Sequence, residues 1–418
     1  MISRAPDRRK PFEVAGRVLP LLAVCVAAVT LFLGAAALVR TAAGASSTLD
    51  FSAFYTAGYL VSEGQGGQLY DIDVQETAQR ERSGGNYDEP LPFAAPAFVA
   101  FVFAPLTVLP LRGAFGAMLF VNLATLAVAL FMLRGSMPDV PRRPRNLALA
   151  LTALAIPAVS VLTAGQIDLL ITAALLGGML LLRADRPVAA GLVLALAFAK
   201  PQLALGAPFL LLATRDWRPL ATMLAAGAVL ALAPVAALGT HALTGNLDAL
   251  DAVGRPALMA NWRGFLASAG APDDVWLWAP GWAAFAAAAS FFSWRVWRRD
   301  TSTFEQRWAL AFLLPLLVSP HLHGQSLVLA LPAVALFLQS EAWSLRGQAA
   351  DERVAWERRA ETLLLAFFVL LFARWAIALA GVSLSVFFLG ALFVAIALPE
   401  RWRLLPCAGS ALPELRAA

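Results

Sequence analysis

The 418-residue sequence is poor in charge, in lysine and in cysteine. Charged residues make up only 14% of it, against about a quarter in a typical soluble domain, while hydrophobic residues make up 60%. This balance argues against a soluble protein and predicts an integral membrane protein. Two cysteines, Cys25 and Cys407, give no disulfide framework. The arginines behind the formal charge of +5 stand at the ends of apolar segments, so membrane topology explains them and no nucleic acid partner is expected.

The scarcity of lysine makes one position stand out. Lys10 and Lys200 are the two lysines of the chain, and Lys200 interrupts the apolar stretch LVLALAFAKPQLALGAPF at 192–209. The apolar arm on each side has about 13 residues, or roughly 20 Å, which is shorter than the roughly 30 Å hydrocarbon core. An ionised group at membrane depth costs at least about 2.5–3.5 kcal/mol and usually marks a site. We therefore expect a lipid phosphate to meet the Lys200 ammonium, with Gln202 adding a hydrogen bond, rather than a snorkelling side chain.

Long apolar runs with no soluble domain between them predict an all-α fold of about twelve transmembrane helices. The expected spans are 17–39, 112–133, 147–164, 167–183, 187–199, 202–214, 219–238, 275–297, 308–319, 324–340, 361–380 and 382–398. No clean cleavage site follows the first apolar segment, which favours an uncleaved span over a signal peptide. The expected domains are a cytoplasmic tail (1–16), a single transmembrane domain (17–398) and a second cytoplasmic tail (399–418).

Two outer loops are expected, at 40–111 and 239–274. Within the first, residues 92–110 are apolar but rich in proline, and a full span there would put the arginine-rich loop 134–145 outside. A helix in the outer leaflet instead leaves those arginines in the cytoplasm, as the positive-inside rule requires. The same rule predicts cytoplasmic termini, and the alanine- and arginine-rich composition favours a bacterial plasma membrane.

In this topology the unusual polar residues share the outer side of the membrane. They are Asp50, Gln166, Asp168, Lys200, Gln202, Arg255, Arg263, His321 and His323. Asp50 precedes a helix with amphipathic spacing that Gly64 would end, so it is either a helix N-cap or a general base that accepts a proton from an acceptor hydroxyl. The two roles are compatible. Tyr55 on the same helix is a candidate for sugar or acceptor binding.

The remaining candidates each have a structural alternative. His321 and His323 form an H-x-H pair, but no third ligand cluster accompanies them, so no metal is expected. Hydrogen bonds to a phosphate or a sugar, or a helix cap, are the alternatives. Gln166 and Asp168 could contact sugar or acceptor, or cap a helix. A second set, Arg255 and Arg263 with Trp262, suits phosphate contacts but also an ordinary interfacial belt.

Four stretches, taken in order, resemble glycosyltransferase family 87. They are DFSAFYTAGYLVSEGQGGQLYD (50–71), PLPFAAPAFVAFVFAPLTVLP (90–110), GQIDLLITAALLGGMLLLRADRPVAAGLVLALAFAKPQ (165–202) and SPHLHGQSLVLALPA (319–333). The resemblance implies a GT-C membrane fold and inverting sugar transfer, typically of mannose, from a polyprenyl-phosphate donor bound from the outer leaflet. It places the catalytic aspartate at Asp50, a lysine before Pro-Gln at Lys200 and a histidine after Ser-Pro at His321.

The leading hypothesis is therefore a glycosyltransferase that uses a lipid-linked sugar and no cofactor. Its expected partners are membrane lipids, the polyprenyl-phosphate sugar and a lipid or glycan acceptor, and the oligomeric state stays open. Asp50 would act as the base, and Lys200, Gln202, Arg255, Arg263 and His321 would hold the donor. A transporter or flippase of lipid-linked saccharides is one alternative, although it predicts inverted repeats with matching broken helices. A family member that binds lipid without catalysis is another.

Overall fold

The computed structural model describes residues 10–42, 50–83, 91–252 and 256–398. Every regular element within these ranges is helical. The first ten α-helices are α1 (Lys10–Ala42), α2 (Asp50–Ser62), α3 (Ile72–Arg82), α4 (Ala97–Phe103), α5 (Leu111–Gly135), α6 (Arg142–Leu154), α7 (Ile156–Ala164), α8 (Asp168–Arg183), α9 (Pro187–Ala195) and α10 (Pro201–Ala204). The others are α11 (Gly206–Thr214), α12 (Trp217–Leu232), α13 (Val235–Leu238), α14 (His241–Ala252), α15 (Trp262–Ser268), α16 (Val275–Trp297), α17 (Phe304–Val318), α18 (Ala330–Ser344), α19 (Ala350–Leu379) and α20 (Ser385–Ala397). Short 3-10 helices cover Gly66–Gln68, Ala104–Val108, Leu196–Ala199, Pro256–Leu258 and Gly324–Leu329.

Seven helical segments of the described chain are long and apolar enough to cross a membrane. They are Val18–Ala42, Leu111–Gly135, Arg142–Ala164, Trp217–Leu238, Val275–Trp297, Gly324–Ser344 and Ala350–Leu379. The prediction of an all-α membrane-embedded protein is thereby confirmed. The count of twelve spans, the GT-C architecture and the tail boundaries stay predictions, and the tails fall largely outside the described residues.

Two helices form the centre of the bundle. Most side chains of α17 and α18 are buried, and the two helices pack against each other. The helices around them expose large apolar side chains, for example Phe120, Phe131 and Trp276. An apolar surface of that kind suits contact with lipid rather than water. Polar side chains that lie near α17 and α18 are therefore shielded from both solvent and lipid.

The proline-rich segment 92–110 does not form a helix of membrane-spanning length. It contains α4 and the 3-10 helix Ala104–Val108, which together run from 97 to 108. At about 1.5–2 Å per residue this segment is too short to cross the hydrocarbon core. It packs beneath α2, where the rings of Phe54 and Phe103 stack at 4.9 Å. The predicted position of this segment in the outer leaflet stays a prediction.

The hairpin around Lys200 has the expected short arms. One arm is α9 with the 3-10 helix Leu196–Ala199, and the other is α10 with α11. The helix breaks at Lys200, whose backbone has φ −134° and ψ 83° and is followed by a proline. Gly206 lies against the backbone of α17, because a Cβ there would stand 1.7 Å from the carbonyl oxygen of Ala311. This close approach fixes the hairpin, and with it Lys200, against the central helix.

Candidate functional site

Four interruptions between helices meet at one end of the bundle, which we call the Asp50 end. They are the start of α2, the turn between α7 and α8, the break at Lys200, and the segment 319–329 between α17 and α18. Each interruption contributes a polar side chain to one hydrogen-bonded network. Functional groups on element ends held by a rigid bundle are the usual arrangement of a binding or catalytic site.

Asp50 is the half-buried carboxylate of this network. Its Oδ2 accepts hydrogen bonds from the side-chain amide of Gln166 at 2.6 Å and from that of Gln325 at 3.2 Å. Its Oδ1 has no hydrogen bond to any described residue, and no described cation pairs with it. The carboxylate is thus oriented through one oxygen by neutral donors, and the other oxygen is left for a proton-bearing ligand.

Lys200 connects the two carboxylates of the site. Its Nζ donates to Oε1 of Gln166 at 2.7 Å and to Oδ2 of Asp168 at 2.6 Å. The other oxygen of Asp168 accepts from Ser326 at 2.6 Å. Because an ammonium can only donate, it fixes the amide of Gln166 with its oxygen towards Lys200 and its NH₂ towards Asp50. Hydrogen bonds through Lys200 and Gln166 therefore link Asp168 to Asp50.

The turn that carries Gln166 is tied to the helix that carries Asp50. Gly165 has φ +69°, and a Cβ on it would lie 2.6 Å from Cβ of Phe51, so only glycine fits this contact. The carbonyl of Gln166 also accepts a hydrogen bond from Asn122 at 2.9 Å. These contacts hold Gln166 next to the first turn of α2 independently of its bond to Asp50.

One expectation about Lys200 is wrong. The sequence argument required an external anion for its ammonium, but Asp168, a fully buried carboxylate, is its counter-ion, and the side chain of Lys200 is only 14% exposed. A buried charge must be paired, and the chain supplies the pair itself. The candidate sugar contact at Asp168 is likewise occupied by Lys200 and Ser326, and Asp168 makes no helix-capping bond. Sequence position alone could not show that 168 and 200 meet.

The two histidines lie in different surroundings. His323 is half-buried and interacts electrostatically with Asp50, Lys200 and Asp168. His321 interacts with Asp273 on the loop that precedes α16. His323 thus interacts electrostatically with Asp50, whereas the resemblance placed the donor-binding histidine at His321.

Arg263 is engaged by a neighbouring carboxylate rather than by the network. Its guanidinium donates twice to Asp273, at 2.7 and 2.5 Å, and lies over the ring of Trp278. These hydrogen bonds hold the pKa of Asp273 below its ordinary value. This pair uses two of the five N–H groups of Arg263, so a donor-phosphate contact through the others stays a prediction. Arg255, the other arginine predicted for this role, lies outside the described residues.

Two further candidates do not join the network. Tyr55 is 1% exposed, and its hydroxyl donates to the carbonyl of Leu109 at 2.8 Å. Burial raises the pKa of Tyr55, so its phenol stays protonated and ties α2 to the end of the 3-10 helix below it. Tyr55 thus has a packing role, and its sugar contact stays a prediction. Gln202 is half-buried and its side chain makes no hydrogen bond within the described ranges.

Sequence reasoning missed two members of the network, Gln325 and Ser326. Both follow the histidines in the quoted stretch SPHLHGQSLVLALPA, and both contact a carboxylate of the site. Uncharged polar residues at a helix start are common, so only their placement in three dimensions distinguishes them. The described residues contain no cluster of three potential metal ligands, and the expectation that no metal is used stays a prediction.

A comparison with protein families gives a match that covers the centre of the chain. The family model of glycosyltransferase family 87 matches residues 93–320. The match includes Gln166, Asp168 and Lys200, whereas Asp50 and the segment from His321 onwards fall outside it. No curated protein and no solved structure matches the chain significantly.

Proposed function

Because the matched residues make up more than half of the chain, the protein belongs to glycosyltransferase family 87, and on this basis we propose the following reaction. A sugar, expected to be mannose, is transferred from a polyprenyl-phosphate donor to a hydroxyl group of a lipid or glycan acceptor. The site lies at the Asp50 end of the bundle. The transfer inverts the configuration at the anomeric carbon and uses no nucleotide sugar and no cofactor.

The observation that carries this proposal is the arrangement of Asp50. Its Oδ2 is held by two amides, and its Oδ1 is unoccupied by the described residues. A carboxylate fixed in this way can accept the proton of an acceptor hydroxyl while the oxygen attacks the sugar. A single displacement needs one such base, unlike the two carboxylates of most glycosidases.

The Lys200–Asp168 pair orients Asp50 through Gln166 and leaves one N–H group of Lys200 available. An ammonium has three N–H groups, and two of them are used by Gln166 and Asp168. The third N–H and the ring of His323 can contact the donor or the acceptor. Lys200 acts in this proposal mainly as a positioning residue, because its charge is already balanced.

The arginines favour one orientation of the protein in the membrane. The loops at the end of the bundle opposite Asp50 carry many of them, including Arg142, Arg143, Arg215, Arg298 and Arg299. The positive-inside rule places that end in the cytoplasm. The Asp50 end then faces the exterior of a bacterial plasma membrane, where a donor in the outer leaflet would reach it.

The proposal is tested by following a labelled sugar. Purified full-length protein in nanodiscs is incubated with radiolabelled polyprenyl-phosphate sugars, a membrane lipid extract and, in parallel, the corresponding nucleotide sugars. We expect label to move from one polyprenyl-phosphate sugar to an acceptor, and not from a nucleotide sugar. Transfer from a nucleotide sugar without polyprenyl phosphate would refute the donor class. Binding of the lipid donor without any transfer would favour a non-catalytic family member.

A further inference from the structure

Arg374 is a buried cation near the site. It lies in the last two turns of α19 and is only 8% exposed. Its Nη1 donates to Oγ of Ser385 at 2.9 Å, and its Nε has no hydrogen-bond partner. Within the described ranges no carboxylate forms an ion pair with it.

An uncompensated buried guanidinium is costly. Removing a charge from water is repaid only by a close opposite charge and by bonds to its remaining N–H groups. Lys200 has that compensation from Asp168, whereas Arg374 has a single neutral hydroxyl. Because no carboxylate of the described residues compensates Arg374, binding of an anion at this guanidinium would stabilise the protein.

The guanidinium borders the segment that contacts Asp50. A Cβ added to Gly324 would lie 3.2 Å from Nη2 of Arg374, so this glycine lies directly beside the guanidinium. The next residue, Gln325, donates to Asp50, and the one after it, Ser326, donates to Asp168. One short segment thus has Arg374 on one side and both carboxylates on the other.

We propose that Arg374 binds the phosphate of the polyprenyl-phosphate sugar, an inference that rests on the function proposed above. In the transfer, the bond between the anomeric carbon and the phosphate oxygen breaks, and its electron pair stays on that oxygen. The acceptor oxygen forms the new bond to the anomeric carbon, and its proton goes to Asp50. Arg374 balances the negative charge left on the departing polyprenyl phosphate. A planar guanidinium suits this task because it can bind two phosphate oxygens at once.

The inference is tested by binding, independently of turnover. Wild type, Arg374→Gln, Arg374→Lys and the control Arg358→Gln are each reconstituted in neutral-lipid nanodiscs. Arg358 is an exposed arginine on the same helix, far from Gly324. Undecaprenyl phosphate, undecaprenol, phosphatidylglycerol and inorganic phosphate are titrated into each sample, and the melting temperature of the unliganded protein is recorded.

We expect wild type and Arg358→Gln to prefer undecaprenyl phosphate over undecaprenol by about tenfold to hundredfold, the range of a hydrogen bond to a charged group. Arg374→Gln should lose this preference, and Arg374→Lys, which keeps the charge but not the planar fork, should retain part of it. The unliganded Arg374→Gln protein should melt at the same temperature as wild type or higher, since an uncompensated charge has been removed. A purely structural arginine would give a lower melting temperature instead.

The outcomes separate this inference from the proposed function. An unchanged preference in Arg374→Gln overturns the assignment of Arg374, and so does an equal loss of affinity for the phosphate and the alcohol. If wild type does not distinguish the two lipids, the polyprenyl-phosphate donor and the role of Arg374 both fail. Arg374-dependent binding of phosphatidylglycerol or inorganic phosphate alone supports a phosphate site but refutes the donor assignment. If Arg374→Gln does not fold, Arg374→Lys is the deciding variant. A full wild-type preference for undecaprenyl phosphate over undecaprenol in Arg374→Lys would support only a requirement for positive charge, and it would overturn the contact of the guanidinium with two phosphate oxygens.

Discussion

Nζ of Lys200 lies 2.6 Å from Oδ2 of Asp168, so the lysine that interrupts an apolar hairpin is balanced by a carboxylate of the same chain. The pair does not stand alone, because Lys200 also fixes the amide of Gln166, and that amide holds Asp50. A buried ion pair contributes little net stability by itself, but it can enforce one arrangement of its neighbours. Here that arrangement leaves one oxygen of Asp50 open.

Replacing Asp50 tests the base directly. Asp50→Asn keeps the size of the side chain and can still hydrogen-bond, but it cannot accept a proton from a hydroxyl. We expect the rate of sugar transfer to fall by about 10²–10⁴-fold, the usual contribution of a general base. Donor binding should change little. The matched control is Glu63→Gln, an exposed acid just after α2, which should transfer at the wild-type rate. Residual activity of Asp50→Asn within a few-fold of wild type would remove the base assignment.

A double-mutant cycle tests the Lys200–Asp168 pair. Lys200→Met leaves a buried carboxylate without a counter-ion, Asp168→Asn leaves a buried ammonium without one, and each should destabilise the protein by about 3–5 kcal/mol. Lys200→Met combined with Asp168→Asn removes both charges and should recover most of that stability. Thermal unfolding in detergent measures both effects. The double variant should still transfer sugar poorly, because Gln166 has lost the donor that orients it. Additive losses of stability would show that the two side chains are not coupled.

Gly165 tests whether the turn before α8 positions the site. Gly165→Ala adds a methyl group that would lie 2.6 Å from Cβ of Phe51, at a backbone φ of +69°. We expect a loss of about 1–3 kcal/mol of stability and a lower transfer rate, because Gln166 and Asp50 must move apart. Gly116→Ala, in the exposed face of α5 with no atom within 4 Å of the new methyl group, is the control. That change should be neutral or stabilising by about 0.5–1 kcal/mol. Equal effects of the two changes would contradict the positioning role.

The Arg263–Asp273 pair predicts a pH dependence outside the network. Its hydrogen bonds lower the pKa of Asp273 from the ordinary value of 3.8. A lowered carboxylate pKa contributes stability that is present above pH 3.8 and is lost as the pH falls through the lower folded-state pKa. Asp273 is about one-third exposed, so the effect is at most about 1 kcal/mol. Melting temperatures of wild type and Asp273→Asn should differ at pH 5 and converge as the pH falls below the ordinary value of 3.8. A difference that grows between pH 5 and pH 3 would contradict this sign.

Much of the fold follows from local pattern. The apolar runs and the basic loops between them predicted the helices closely, for example the start of α8 at Asp168 and the length of α16. The proline-rich segment 92–110 was correctly predicted not to form a long membrane helix, since its composition limits helix length locally. The end of α2 before Gly64 was also predictable, because a glycine commonly follows the last turn of a helix. In the structure Gly64 has φ +73°, which agrees with this prediction.

The partners within the site were not predictable in the same way. Asp168 and Lys200 were both recognised as unusual, but hydropathy does not tell which residues of different helices face each other. The two histidines are two residues apart, yet His323 interacts with Asp50 and His321 with Asp273. Gln325 carries no signal in the sequence, because a neutral amide beside a helix start is ordinary.

What the sequence by itself determined about this protein is its membrane environment and its helices, because a hydrocarbon core imposes a minimum helix length and makes a buried charge costly. What only the tertiary structure decided is which charges are compensated. Asp168 neutralises Lys200 and Asp273 neutralises Arg263, while Arg374 has no such partner among the described residues. Coulomb interactions and hydrogen bonds depend on separations of a few ångströms in space. Those separations are set by how the helices pack and not by the position of the residues along the chain.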